Sequence, residues 1–280
     1  MTVLDDEVSL VGAGGQARII PFGAQVLQWT PAGEDPVLWV SRRADLSGNG
    51  PVRGGIPICL PWFGAGPEGS VRPSHGFART STWERIGTDA PGAARALVLR
   101  LTHDGTAGDA FPHRFRAELR VALTDDLVVT LRVTNRDAHA FTFEEALHTY
   151  LAVGDVKDTT VDGLEGTAYL DKVRGDGRWR TQNGEVSFVG ATDRIHRCDS
   201  TLVVHDPRNC RDIVIDRDSS ANVVVWNPWA EGAANLGDVA PHDWEHFVCV
   251  EAANVGDDAV ELRPGEDHEM MVVLHVDPMV

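Results

Sequence analysis

The sequence predicts an all-β chain, a large antiparallel β-sandwich over residues 1–280 taken as a single domain. Three observations predict it. Apolar and polar residues alternate with period 2 along most of the chain, the spacing that lines one face of a strand. Two such runs, 115–123 and 127–134, are joined by the short link Thr124-Asp125-Asp126, which marks an antiparallel hairpin. No segment carries a long helical period, and no Pro/Ser-rich linker divides the chain, so one sandwich is expected rather than two domains.

In order, the expected strands are 24–30, 36–40, 96–102, 115–123, 127–134, 201–205, 212–216, 222–226, 246–251 and 269–276. Turn signals separate them: Asn135-Arg136-Asp137, Asp206-Pro207-Arg208-Asn209 and Arg263-Pro264-Gly265. The stretch 48–79 differs from its surroundings. Rich in Gly and Pro and poor in alternation, it reads as a long structured loop, and long loops in compact domains are usually functional.

The composition excludes several function classes. With 42% apolar and 24% charged residues the chain is an ordinary globular one, and a net charge of −17 opposes general binding to nucleic acid or to an anionic membrane. A local cationic cluster still overrides that field at short range, because screening cuts it off beyond about 8 Å. Residues 1–10 carry Asp5, Asp6 and Glu7 and no basic region followed by an apolar stretch, so no secretory signal is expected there. No apolar run approaches the length of a transmembrane helix. A cytoplasmic monomer is expected. Cys59, Cys198, Cys210 and Cys249 lack Cys-x-x-Cys spacing and read as free thiols.

Three clusters carry side chains suited to chemistry. In the loop, Arg53-Gly54-Gly55-Ile56-Pro57 and Ser74-His75-Gly76-Phe77-Ala78-Arg79 display two arginines and a histidine from stiffened backbone. Arginine's planar fork suits phosphate or sugar hydroxyls, while a packed loop with solvent-facing arginines is the plainer reading. In 142–151, alternation puts Glu144, Ala146, His148 and Tyr150 on one face. His148 is either a hydrogen-bonded strand residue or a group for proton transfer. Glu251 ends the apolar run Phe247-Val248-Cys249-Val250, where burial would raise its pKa, or where it simply emerges into solvent. Asp193 reads as a turn or cap residue.

Two motifs are rejected. His242-Asp243-Trp244-Glu245-His246 matches the His-x-x-Glu-His zinc pattern, but Pro241 before it and a strand directly after it leave no helix to align the histidines, so no metal is expected. The glycines after Arg53 lack the Lys-Ser/Thr ending of a phosphate-binding P-loop.

Taken together and in order, Arg53-Gly54-Gly55-Ile56-Pro57, Pro61-Trp62-Phe63-Gly64, His75-Gly76-Phe77-Ala78-Arg79, Ala146-Leu147-His148-Thr149-Tyr150, Tyr169-x-Asp171-Lys172, Thr192-Asp193-Arg194, Trp226-Asn227-Pro228-Trp229 and Val248-Cys249-Val250-Glu251 resemble the aldose 1-epimerase superfamily, specifically its hexose-6-phosphate mutarotases. The resemblance implies a galactose mutarotase-like sandwich that exchanges the α and β anomers of a hexose 6-phosphate without a cofactor. It implies His148 as the acid on ring oxygen O5 and Glu251 as the base on the anomeric hydroxyl. Arg53, His75, Arg79 and Asp193 would bind the sugar phosphate, with phosphate at the arginines. Ser74 stands where the family often carries Gln. With only Lys157 and Lys172 as lysines, extra phosphate contacts are expected from Arg43 or Arg72, and Trp62, Trp226 and Trp229 are available to stack on sugar. The alternatives are a mutarotase for free aldoses and a non-catalytic carbohydrate-binding sandwich.

Overall fold

The computed structural model describes residues 2–66, 69, 71–88, 95–106 and 110–279. Pro67, Glu68 and Ser70 of the long loop, and Met1, lie outside the described residues. Every strand pairing among the described residues is antiparallel, and two large sheets dominate. A nine-stranded sheet is built around the expected hairpin, Phe115–Leu123 against Leu127–Asn135. An eight-stranded sheet runs from Trp179–Thr181 through Ala168–Asp171, Thr192–Arg197, Asn222–Asn227 and Phe247–Asn254 to Glu145–Leu147 and Ile58–Cys59, with Tyr150–Ala152 also paired to Phe247–Asn254. A three-stranded sheet (Val8–Gly12, Gly15–Ile20, Gln25–Thr30) and a two-stranded one complete the set.

Alternation decides which faces meet. Phe115, Leu119, Val129 and Leu131 from the nine-stranded sheet share one buried core with Val223, Val225, Val248 and Val250 from the eight-stranded sheet. Each such side chain contributes roughly 1.5–3 kcal/mol on burial. The residues between them, Val224 and Glu251 among them, therefore point to the opposite face of the eight-stranded sheet. On that outer face they meet Arg53, Phe63, Ser74, His75 and Arg79 of the 48–79 stretch.

Several elements depart from expectation for physical reasons. Residues 36–40 form isolated bridges, Leu38 to Leu151 and Val40 to Gly54, because the segment changes partner within three residues. The run 141–151 is split into Phe141–Phe143, Glu145–Leu147 and Tyr150–Ala152. A short helix, Trp229–Ala234, follows Pro228. The rejected zinc motif is a 3-10 turn, Asp243–His246, with His242 outside it in the left-handed region.

The loop's glycines answer a close approach. Gly76 has φ +71°, and a Cβ there would overlap the Leu60 carbonyl oxygen. Only glycine lets the His75 segment pass so near the Leu60-Pro61 backbone, where Leu60 N–H donates to His75 O and Ala78 N–H to Leu60 O.

Candidate active site

The outer face of the eight-stranded sheet is organised by register. Leu147 pairs with Ala252 and Tyr150 with Cys249, so His148 between them stands opposite Glu251. Glu251 in turn pairs with Val224, and Val224 with Ile195. One step along the strands a second row runs Tyr150, Cys249, Trp226, Asp193. Asp171 pairs with Arg194, and Lys172 N–H donates to Asp193 O at 2.8 Å, which extends that row to Lys172. Opposite partners share a face. At the other edge the loop continues the sheet: His148 N–H donates to Pro57 O and Tyr150 N–H to Gly55 O. Arg53 thus borders the His148 end of the rows, and Lys172 borders the other.

Over these rows lies a cavity of about 300 Å³ lined by the loop residues Arg53, Phe63, Ser74, His75 and Arg79 and the sheet residues His148, Lys172, Asp193, Val224, Trp226 and Glu251, with Leu236 at the side. All seven residues singled out from the sequence line it. The size lies at the small end of ligand pockets.

His148 and Glu251 form the floor. Their side chains are 9% and 1% exposed, and Nε2 stands 3.4 Å from Oε1. The other two polar atoms, His148 Nδ1 and Glu251 Oε2, are buried and have no hydrogen-bond partner among the described residues. Burial holds the imidazole well below its ordinary pKa, with His75, Arg79 and Arg53 adding to the effect. Burial likewise holds the Glu251 carboxyl well above the usual carboxylate range, with Asp193 adding to it and Lys172 and Arg79 opposing. The two shifts run in opposite directions, and groups this close titrate as a pair rather than singly. Glu251 is not a strand end in solvent: its strand runs on to Asn254.

His75 has a left-handed backbone, φ 63°, which for a non-glycine residue costs about 1–2 kcal/mol. Its Nδ1 accepts from Gly64 N–H at 3.3 Å and lies 3.3 Å from Cys59 Sγ. Burial, then Arg79, Lys172 and Arg53, lower its pKa to about 3. It is therefore a neutral imidazole whose proton sits on Nε2, as a donor.

The cations are held differently. Arg53 Nε pairs with Asp238 Oδ2 at 3.0 Å and Nη1 donates to the Tyr150 hydroxyl at 2.9 Å. Burial works against its charge, but Tyr150 and Asp238 more than compensate and raise its pKa. Arg79 Nη2 donates to Ser74 O at 2.7 Å, and its buried Nε has no partner among the described residues. The Ser74 hydroxyl donates to Gly64 O at 3.1 Å. Asp193, expected in a turn, is a strand residue. Its pKa is raised by burial against the pull of Lys172, whose Nζ lies 3.5 Å from Oδ2 and 5.3 Å from the Phe63 ring centroid.

Several residues that shape the cavity were not among the expected site residues. Lys172, not Arg43 or Arg72, is the third cation of the cavity. Its motif was visible, but only the pairing of its strand with Thr192–Arg197 turns it inward. Asp238 comes from a segment with no periodic signal, Tyr150 orients Arg53, and Leu236 closes one side. Of the three tryptophans expected near a sugar, Trp226 lines the cavity. Trp62 is core, its Nε1 donating to Pro73 O, and Trp229 packs on Trp244. Among the described residues no group of three or more His, Cys, Asp or Glu side chains is arranged to hold a metal ion, and no helix is long and apolar enough to cross a membrane.

Comparison with known proteins places this geometry in context. The family described as "Aldose 1-epimerase" matches residues 6–275. A protein of Cenchrus ciliaris named "Putative glucose-6-phosphate 1-epimerase" is 33% identical over 275 residues, covering 94% of this chain and 82% of that protein. An Escherichia coli K12 protein of the same name is 34% identical over 235 residues, covering 82% and 77%. A crystal structure of a "putative mutarotase (YeaD)" from Salmonella typhimurium superposes with a TM-score of 0.89 at 29% identity, covering 98% of this chain and 92% of that one. A galactose mutarotase-like protein from Clostridium acetobutylicum, at 14% identity and TM-score 0.75 over 98% and 95% of the chains, shares the fold.

Proposed function

The chain belongs to the aldose 1-epimerase family, and on that premise we propose that its cavity interconverts the α and β anomers of a hexose 6-phosphate, glucose 6-phosphate foremost, with His148 and Glu251 moving the protons. One observation carries the reading: His148 and Glu251, 3.4 Å apart, form the floor of a cavity whose rim holds Arg53 and Arg79.

Ring opening needs a proton delivered to O5 and another removed from the O1 hydroxyl. The protonation state that reacts is imidazolium beside carboxylate, and a phosphate dianion in the cavity favours it by stabilising the positive ring. His148 then gives its proton to O5 as the C1–O5 bond breaks, and Glu251 takes the O1 proton as the C1–O1 double bond forms. Rotation about C1–C2 turns the aldehyde, and reclosure on either face reverses both transfers. Each positioned group contributes typically about 10² to 10⁴ in rate, enough for a reaction whose uncatalysed barrier is modest. The phosphate is assigned to Arg53 and Arg79, and His75 and Asp193, with Ser74, are assigned to sugar hydroxyls. Arg53 is fixed by Asp238 and Tyr150 before substrate arrives, which lowers the ordering cost of binding.

NMR exchange between the α and β anomers of glucose 6-phosphate tests this directly. Acceleration over buffer that exceeds the acceleration of free glucose is expected. Binding of the sugar phosphate without acceleration makes the protein a carbohydrate-binding sandwich instead, and equal rates on both sugars make it a mutarotase of free aldoses.

A further inference from the structure

The rows of the eight-stranded sheet give the cavity two ends, and the bonding order of a hexopyranose has two ends as well. From Arg53 the sequence of side chains across the strands is His148, Glu251, then Val224 and Trp226, then Asp193, then Lys172. Around the sugar the order from the phosphate is C6, C5, O5, C1 with its O1, C2, C3. His148 at O5 and Glu251 at O1 set the direction in which one order lies on the other. The phosphate then falls at the Arg53 end, and the hydroxyls that follow C1 fall at the Asp193 and Lys172 end.

We propose that Lys172 is a specificity-determining residue, which together with Asp193 recognises the hydroxyls on C2 and C3 and so selects among hexose 6-phosphates. The inference rests on the anomer-exchange reading of the His148–Glu251 pair. The chemistry of the two side chains suits a hydroxyl, which both donates and accepts. Asp193 Oδ2 and Lys172 Nζ stand 3.5 Å apart, at 26% and 38% side-chain exposure, too long for a tight ion pair and open to the cavity. A hydroxyl donating to the carboxylate and accepting from the ammonium satisfies both. Phe63 holds the ammonium over its ring face, 5.3 Å from the centroid, which orients Lys172 without spending a proton on another acceptor. A half-buried carboxylate left without its hydroxyl keeps the cost of its burial, the reason sites built around a hydroxyl reject analogues that lack it.

The test is anomer exchange of glucose 6-phosphate, 2-deoxyglucose 6-phosphate and 3-deoxyglucose 6-phosphate by wild type, Lys172→Met and Lys172→Arg. Wild type is expected to prefer glucose 6-phosphate over at least one deoxy sugar by tenfold or more in kcat/KM. Lys172→Met is expected to lose at least tenfold on glucose 6-phosphate, chiefly in KM, and under threefold on the discriminated deoxy sugar, so that the preference collapses; Lys172→Arg, which keeps the charge, restores part of it. Equal losses on all three sugars, or a wild type indifferent to both hydroxyls while still exchanging glucose 6-phosphate anomers, overturn the role of Lys172 and leave the proposed reaction standing. A wild type that exchanges none of the three overturns both.

Discussion

His148 and Glu251 are opposite partners in one antiparallel register, and their side chains meet at 3.4 Å on the cavity floor. Two groups in direct contact that serve one proposed proton relay act as a unit, so their losses do not add. His148→Asn and Glu251→Gln are each expected to lower kcat by about 10² to 10⁴, and the double variant to be little worse than the weaker single one. Anomer exchange rates of the three variants, with circular dichroism to verify folding, check this; multiplicative losses would show that the two groups work independently.

The pH profile follows from the opposed shifts of the pair. Acid protonates the group that serves as base; alkali removes the proton from the group that serves as acid. The kcat/KM profile is expected to be bell-shaped, and its two limbs belong to the pair rather than to either residue. In His148→Asn the alkaline limb should vanish, because only the need for a deprotonated Glu251 remains. A limb that persists would point to a group other than His148 as the source of the proton.

Arg79 tests the proposed phosphate site. Its guanidinium is anchored through Nη2 to Ser74 O, and its buried Nε has no partner among the described residues. Arg79→Ala is expected to raise KM for glucose 6-phosphate at least about tenfold, the loss of a charge-assisted contact, and KM for free glucose far less. Parallel increases for both sugars would remove the phosphate from Arg79.

A second prediction on titration concerns stability. Glu145, on the opposite face from His148, is fully buried and bonds His268 at 2.9 Å and Asn254 at 3.0 Å. The hydrogen bond to Glu145 raises the His268 pKa, against the effect of burial. A raised histidine stabilises fully below its unfolded pKa, about 6.5, and loses that contribution as pH rises through the higher folded value. His268→Ala should therefore cost about 1–3 kcal/mol at pH 5.5 and less at pH 9. Urea unfolding at the two pH values measures it, and a cost independent of pH would mean that packing alone is lost.

Where the sequence was legible, the signal was local. The hairpin of Phe115–Leu123 and Leu127–Asn135 lies within one residue of expectation because its alternation and its turn sit side by side in the chain. The strands at Asn222–Asn227 and Phe247–Asn254 were read for the same reason, though the second runs three residues further than expected and takes Glu251 into the interior. The segment 36–40 misled because β-branched residues signal a strand whether or not one neighbour stays beside them long enough to form it.

The amino-acid sequence by itself determined the all-β class, the main strands and, through the ordered motifs, seven of the residues that line the cavity. Tertiary structure alone decided the rest, because cross-strand register depends on residues far apart in the chain. It set His148 opposite Glu251 across 103 positions, removed both from water, tied Arg53 to Asp238, and turned Lys172 toward Asp193. Burial and pairing are properties of the assembled sheet, and no single strand carries them.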